Sequence, residues 1–341
     1  MFIKSEDLFA FLRIAVQKKQ DGITNVILPI SPPSFSNGKL YFSQNLNEQI
    51  VLNSYRTIDP VKVLFYQTRE RLTPGEFSQQ KNVILGVKAC DLAALQLLDR
   101  ALLQQDFIDP AYKHWRENSI IVATDCGEIS KTCHCNLVGG APFAESGFDL
   151  NLSAVDEGFY IQIGSDKGDA LLQTMRKSTK IIPANEKIKK RVAEQRRQVQ
   201  QQLKTHNADF SHGEPEQLRS VNHDFWEEVS SACMGCGACT NICPTCYCLI
   251  LNDESEGKEF IKVRSYDSCQ WNGYATVAGG GTPRPKMSQR FRNRYLCKFD
   301  IMKNDFGVIG CTGCGRCSEA CAAEIDFRRA AHAAESAAAA V

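Results

Sequence analysis

The chain has 341 residues, enough for roughly two domains that each bury an apolar core, which excludes a peptide or one small module. Hydrophobic residues make up 43% and charged residues 23%, the composition of an ordinary globular protein rather than a disordered or membrane-embedded one. Forty Lys+Arg against 39 Asp+Glu leave a formal net charge of +1, which argues against the broad basic field of a nucleic-acid coat or membrane-surface binder.

At the N-terminus, Glu6 and Asp7 stand where a signal peptide would carry its apolar stretch. No apolar run approaches the ~18 residues of a membrane span. The expected location is therefore the cytoplasm, with thiols reduced. In such a compartment, sixteen cysteines are read as metal ligands before they are read as bridges.

Residues 61–66, 82–87 and 119–124 read as strands. Between the last two, Leu92, Leu95, Leu98 and Leu102 recur at helical spacing, making a strand–helix–strand unit and predicting an α/β domain. A strand over 158–165 and a short helix over 169–177 close this domain near residue 183. Residues 186–206 read as a long polar helix with a thin apolar stripe at Ile188, Val192, Val199 and Leu203, within a helical linker over 184–222. Its basic face is either solvated surface or a dock for an acidic partner. An α+β, bacterial-ferredoxin-like domain with an insertion is expected over 223–330. Residues 331–341 form an Ala-rich tail with no assigned function.

Cys233, Cys236, Cys239 and Cys243, followed by Pro244, form a C-x₂-C-x₂-C-x₃-C-P run of the bacterial ferredoxin type, and Cys311, Cys314, Cys317 and Cys321 repeat the spacing. Three thiolates so spaced let one tight loop wrap a cube, with Gly235, Gly237, Gly313 and Gly315 supplying conformations that side chains would forbid. In two-cluster modules the fourth cysteine ligates the other cube. The expected sets are Cys233, Cys236, Cys239 with Cys321, and Cys311, Cys314, Cys317 with Cys243, for two [4Fe–4S] clusters. Structural zinc also uses C-x₂-C, but as two spaced pairs, and six His leave little material for mixed sites. Ala322 stands where the second run would carry proline, which changes loop stiffness and removes no ligand.

Eight cysteines remain, in two sets that each hold a C-x-C pair and two solitary residues. The first is Cys90, Cys126, Cys133 and Cys135; the second is Cys246, Cys248, Cys269 and Cys297. Cys90 and Cys126 follow neighbouring predicted strands, on the rim where α/β proteins place ligands, which favours a third cluster. Cys246 and Cys248 lie so close to Cys243 that they read equally as ligands of a fourth cluster or as buried thiols. His134, between Cys133 and Cys135, is a candidate donor to a ligand or a plain loop residue. Each cube with its thiolates carries about −2, so two take the net charge to about −3 and four to about −7. Arg264, Arg284, Lys286, Arg290, Arg292, Arg294 and Lys298 are candidate counter-charges, or surface residues that keep the chain soluble.

No dinucleotide, P-loop or nucleophile-elbow motif is present, so the chain shows no catalytic residue of its own and reads as an electron wire. Asp267 to Trp271, Ala278 to Gly280, Arg290 to Lys298 and Cys243 to Cys248 closely resemble the beta subunit of cytoplasmic sulfhydrogenases, the NADP-linked [NiFe] hydrogenases. Ala89 to Asp99, Cys133 to Cys135 and Gly147 to Leu150 match as well, so the resemblance spans roughly 85–327. The iron–sulfur subunit of anaerobic sulfite reductase is similar over the same motifs. The resemblance implies a relay between a flavin-containing NAD(P)H-binding subunit and a [NiFe] hydrogenase module. The competing readings are the same role for sulfite or another acceptor, and a non-catalytic metal or redox-sensing protein.

Overall fold

The computed structural model describes residues 1–32, 39–72, 80–210 and 217–339. Residues 211–216 of the expected linker and the last two of the tail lie outside them. The N-terminal half runs β1 (Phe2–Lys4), α1 (Ser5–Gln17), β2 (Ile23–Ile30), β3 (Tyr41–Ser43), β4 (Arg69–Arg71), β5 (Lys81–Val87), α2 (Ala89–Leu103), α3 (Pro110–Glu117), β6 (Ser119–Thr124), β7 (Leu150–Val155), β8 (Gly158–Ile163), α4 (Asp166–Arg176) and β9 (Ile181–Ile182). Eight of these strands form one sheet in the order β3-β2-β5-β6-β7-β8-β1-β9. Its centre, β2-β5-β6-β7, is parallel. Helices cover both faces, which is why β5 and β6 are apolar runs rather than alternating ones. Leu92, Leu95, Leu98 and Leu102 of α2 are buried with Ile84 and Ile121 on one face. The opposite face packs α1 and α4 residues on Val83, Leu85, Ile120 and Val122.

Residues 61–66 are not a strand. Val61–Leu64 is a 3₁₀ turn entered from Pro60, and the Lys62 carbonyl accepts from both Phe65 N (2.9 Å) and Tyr66 N (2.8 Å). Lys62 is itself buried, so the alternation of a half-exposed strand is absent. A two-residue hairpin joins β7 to β8, with Asp156 at φ +53°, a conformation Asp tolerates better than most side chains.

α5 (Glu186–His206) is capped by Asn185, whose side chain accepts from Ile188 N at 2.9 Å. Its stripe of Val192, Val199 and Leu203 is buried, and Arg196 pairs with Asp125 at 2.7 Å. The helix therefore lies along the sheet domain.

The remaining elements are α6 (Gln217–Ser220), α7 (His223–Val229), α8 (Ala238–Asn241), β10 (Leu249–Glu256), β11 (Glu259–Tyr266), α9 (Met287–Leu296), α10 (Met302–Phe306), α11 (Arg316–Glu319) and α12 (Phe327–Ala339). Trp226, Phe291, Tyr295, Phe299 and Phe327 form their core, with Tyr295 and Phe327 stacked at 4.4 Å. The Ala-rich tail is part of that core: it forms α12 through residue 339 and buries Ala330, Ala331 and Ala334 against the aromatic rings. Ala334→Leu is expected to overpack this contact and lower stability by about 1–3 kcal/mol, read as a reduced denaturant midpoint. β10, β11 and β4 form a second sheet, so an excursion from the first half completes the insertion in the second. No helix among the described residues is long and apolar enough to cross a membrane.

Candidate metal centres

Both ferredoxin runs adopt one backbone pattern. Gly235 (φ +68°) and Gly237 (+76°) are matched by Gly313 (+65°) and Gly315 (+71°). Gly237 and Gly315 open the one-turn helices α8 and α11, which carry Cys239 and Cys317. Gly313 N donates to Cys311 Sγ at 3.4 Å, the N–H to sulfur bond a ligating thiolate needs. A methyl group at Gly313 would fall on the Cys135 backbone. Gly313→Ala is therefore expected to cost at least about 2 kcal/mol in strain and clash and to strip iron from the second loop, read by anaerobic iron analysis.

Thiols of the two runs lie near one another. Burial raises the Cys233 pKa, and Cys321 and Cys236 push it further. Burial likewise raises Cys311 and Cys314, with Cys317 and Cys243 adding to both. Cys243 itself is lowered by the hydrogen bond from Cys246, reinforced by Lys298 and Arg294 against burial.

The other two sets also converge. Cys90 lies in the first turn of α2 and Cys126 just beyond β6, on the parallel-strand rim. With Cys133 and Cys135 they line one small cavity, together with Arg56, Gly313 and Cys314. Burial pushes the Cys126 thiol up to about 12, against the pull of Lys88. In the last set, burial raises Cys248 to about 11, and Cys269 and Cys297 add to it. Cys297 opens a π-helical turn, Cys297–Ile301, at the end of α9, a distortion that often marks functional sites. The pKa of Cys246 is raised by its hydrogen bond to Cys243 and by burial, against the pull of Lys298 and Lys62.

All sixteen cysteines are free, and no three His, Cys, Asp or Glu side chains among the described residues close around a single ion. A cube is gripped from four outer corners, so its ligands stand wider apart than those of zinc. The cations around the sets provide a test of fit. Lys88 is buried and gives its three bonds to Leu52 O, Thr124 Oγ1 and Asp125 O at 2.8–2.9 Å. Lys62 reaches Cys246 O at 2.8 Å, and Lys298 reaches Thr245 Oγ1 at 2.7 Å. Arg294 is buried with Nε unpartnered among the described residues. None of these four pairs with a carboxylate within 4 Å among the described residues. Buried cations need anions, and cubes held at the ferredoxin loops would supply them to Arg294 and Lys298, which lie near Cys239 and Cys243.

Of the basic residues expected as counter-charges, Arg290, Arg294 and Lys298 are buried near the cysteines. Arg264 is not a counter-charge: its guanidinium is bound by the carboxylates of Glu70 and Asp109. Arg284, Lys286 and Arg292 are not buried. Sequence reasoning missed Arg56, Lys62, Lys88 and Arg316. Lys88, two residues before Cys90, and Arg316, directly before Cys317, offered a local signal.

This arrangement of clustered thiols and buried cations is that of an iron–sulfur electron-transfer subunit. Residues 232–325 match the family described as a 4Fe-4S dicluster domain, so two [4Fe–4S] clusters are its cofactors. The chain is 32% identical over 301 residues to the beta subunit of sulfhydrogenase 2 from Pyrococcus furiosus, covering 83% of this chain and 84% of that protein. It belongs to the family of sulfhydrogenase beta subunits.

Proposed function

We propose that the chain holds four iron–sulfur clusters and relays single electrons between a flavin subunit that exchanges hydride with NAD(P)H and a [NiFe] hydrogenase module, in the cytoplasm. The ligand sets are Cys233, Cys236, Cys239, Cys321; Cys311, Cys314, Cys317, Cys243; Cys90, Cys126, Cys133, Cys135; and Cys246, Cys248, Cys269, Cys297. The observation that carries the four-site reading is Lys298, whose ammonium is held charged against burial by Cys243, Cys246 and Cys297; at Lys62 and Lys88 burial lowers the pKa, and the neighbouring cysteines, joined at Lys88 by Asp125 and Asp91, oppose it. The name of the Pyrococcus relative supports the hydrogenase partner. Free thiols throughout suit a reducing compartment.

When bound, the clusters supply the one-electron chemistry. The protein's part is to space the four thiol sets, exclude water and hold positive charge beside them. Isolation of the intact complex under strict anaerobiosis tests the assignment. Nickel and flavin are expected to co-purify with the chain. Sirohaem in place of nickel would transfer it to a sulfite-reducing complex.

A further inference from the structure

The loop Cys311–Cys317 meets each of the other three thiol sets through a separate built contact. Toward the N-terminal set, Cys314 lines the cavity of Cys90, Cys126, Cys133 and Cys135, whose lining residues include no cysteine of the remaining two sets. That contact is locked from both sides. His134 N donates to Gly313 O at 2.8 Å, and its ring Nε2 lies 3.8 Å from Cys311 Sγ. Arg56 donates to Cys314 O at 2.5 Å and pairs with Glu319 at 2.9 Å. Arg316 spans to Asp91 with bonds of 2.8 and 2.7 Å.

A second contact runs through Cys243. Its Sγ lies 3.3 Å from Thr245 Oγ1, and that hydroxyl donates to Gly310 O at 2.6 Å while accepting from Lys298 Nζ at 2.7 Å. The same short segment, Cys243 to Cys246, thus belongs to two sets at once. A third contact joins α11 to α8, placing Cys317 beside Cys239, with Arg294 donating to Cys239 O at 3.4 Å. Beyond Cys239 lies Cys236, an exposed cysteine, next to Met234, which is 66% exposed.

We propose that the Cys243/Cys311/Cys314/Cys317 set is a branch point: electrons from the N-terminal set enter it beside Cys314 and leave either toward Cys239 and the exposed Cys236, or toward Cys246. The inference rests on the four-site reading above. Each transfer oxidises the donor site and reduces the acceptor site by one electron, with no bond formed or broken; the partner subunits are source and sink. The chain is therefore forked, with two outlets for one inlet.

The test uses the full chain, purified anaerobically, as wild type and as Cys317→Ser, Cys236→Ser and Cys248→Ser. Iron analysis comes first: about sixteen Fe are expected in wild type and about twelve in each variant. The fully reduced proteins are then compared by EPR, where spin coupling broadens the signal of the N-terminal set. Broadening is expected in wild type, Cys236→Ser and Cys248→Ser, and is expected to vanish in Cys317→Ser. Broadening that survives in Cys317→Ser, or disappears in either other variant, overturns the branch point alone. About eight Fe in wild type would remove the four-site reading and the branch with it. His134→Phe keeps every thiol and gives a second reading should Cys317→Ser fail to fold. It is expected to retain full iron and to alter relaxation of the N-terminal signal without altering that of the Cys236 site; the reverse pattern, or no change at either, contradicts the proposal.

Discussion

Asp91→Ala is expected to lower the stability of the loaded protein by about 3–5 kcal/mol, the range for breaking a buried ion pair. Asp91 and Arg316 are each 1% exposed, 2.7 Å apart, and they pin the first turn of α2 to α11. Arg316 also donates to Thr57 O (3.0 Å) and Ile58 O (2.9 Å), but those neutral carbonyls leave its charge uncompensated once the carboxylate is gone. The measurement is an anaerobic guanidinium titration of both proteins. A double variant, Asp91→Leu with Arg316→Met, should recover part of the loss, because the buried charge itself is then removed. A loss below about 1 kcal/mol in the single variant would mean that the neighbouring thiolates neutralise Arg316 without Asp91.

Lys298→Met is expected to make the adjacent sites harder to reduce, by on the order of 60–120 mV, equivalent to ten- to a hundredfold in the one-electron equilibrium. Burial would discharge this ammonium. Cys243, Cys246 and Cys297 hold its pKa well above the ordinary lysine value instead. Methionine preserves the unbranched shape and removes the charge, so the negative site loses a close positive neighbour in a low-dielectric setting. Redox titration followed by EPR reads the shift. An upward shift, or none, would show that Lys298 does not face the cluster charge.

The ferredoxin loops are legible because their signal is local: three cysteines at fixed spacing, with glycines where φ is positive, describe a loop without reference to the rest of the chain. The α2 stripe is legible for the same reason. Residues 61–66 mislead because their apolar pattern suits a strand, whereas the burial of Lys62 is decided by Cys246, far along the chain. Arg264 lies between the two cysteine runs, yet its partners Glu70 and Asp109 come from the other half. The Ala-rich tail looks featureless in sequence because small side chains carry little periodic contrast; only the aromatic surface beneath explains why small ones are needed there. Long-range partners are where pattern reading stops.

We propose that the sixteen cysteines form four sets around inorganic clusters. Iron and acid-labile sulfide, counted per chain on protein isolated without oxygen, test it most directly. About sixteen of each are expected. Zinc in their place, with no acid-labile sulfide released, would contradict it.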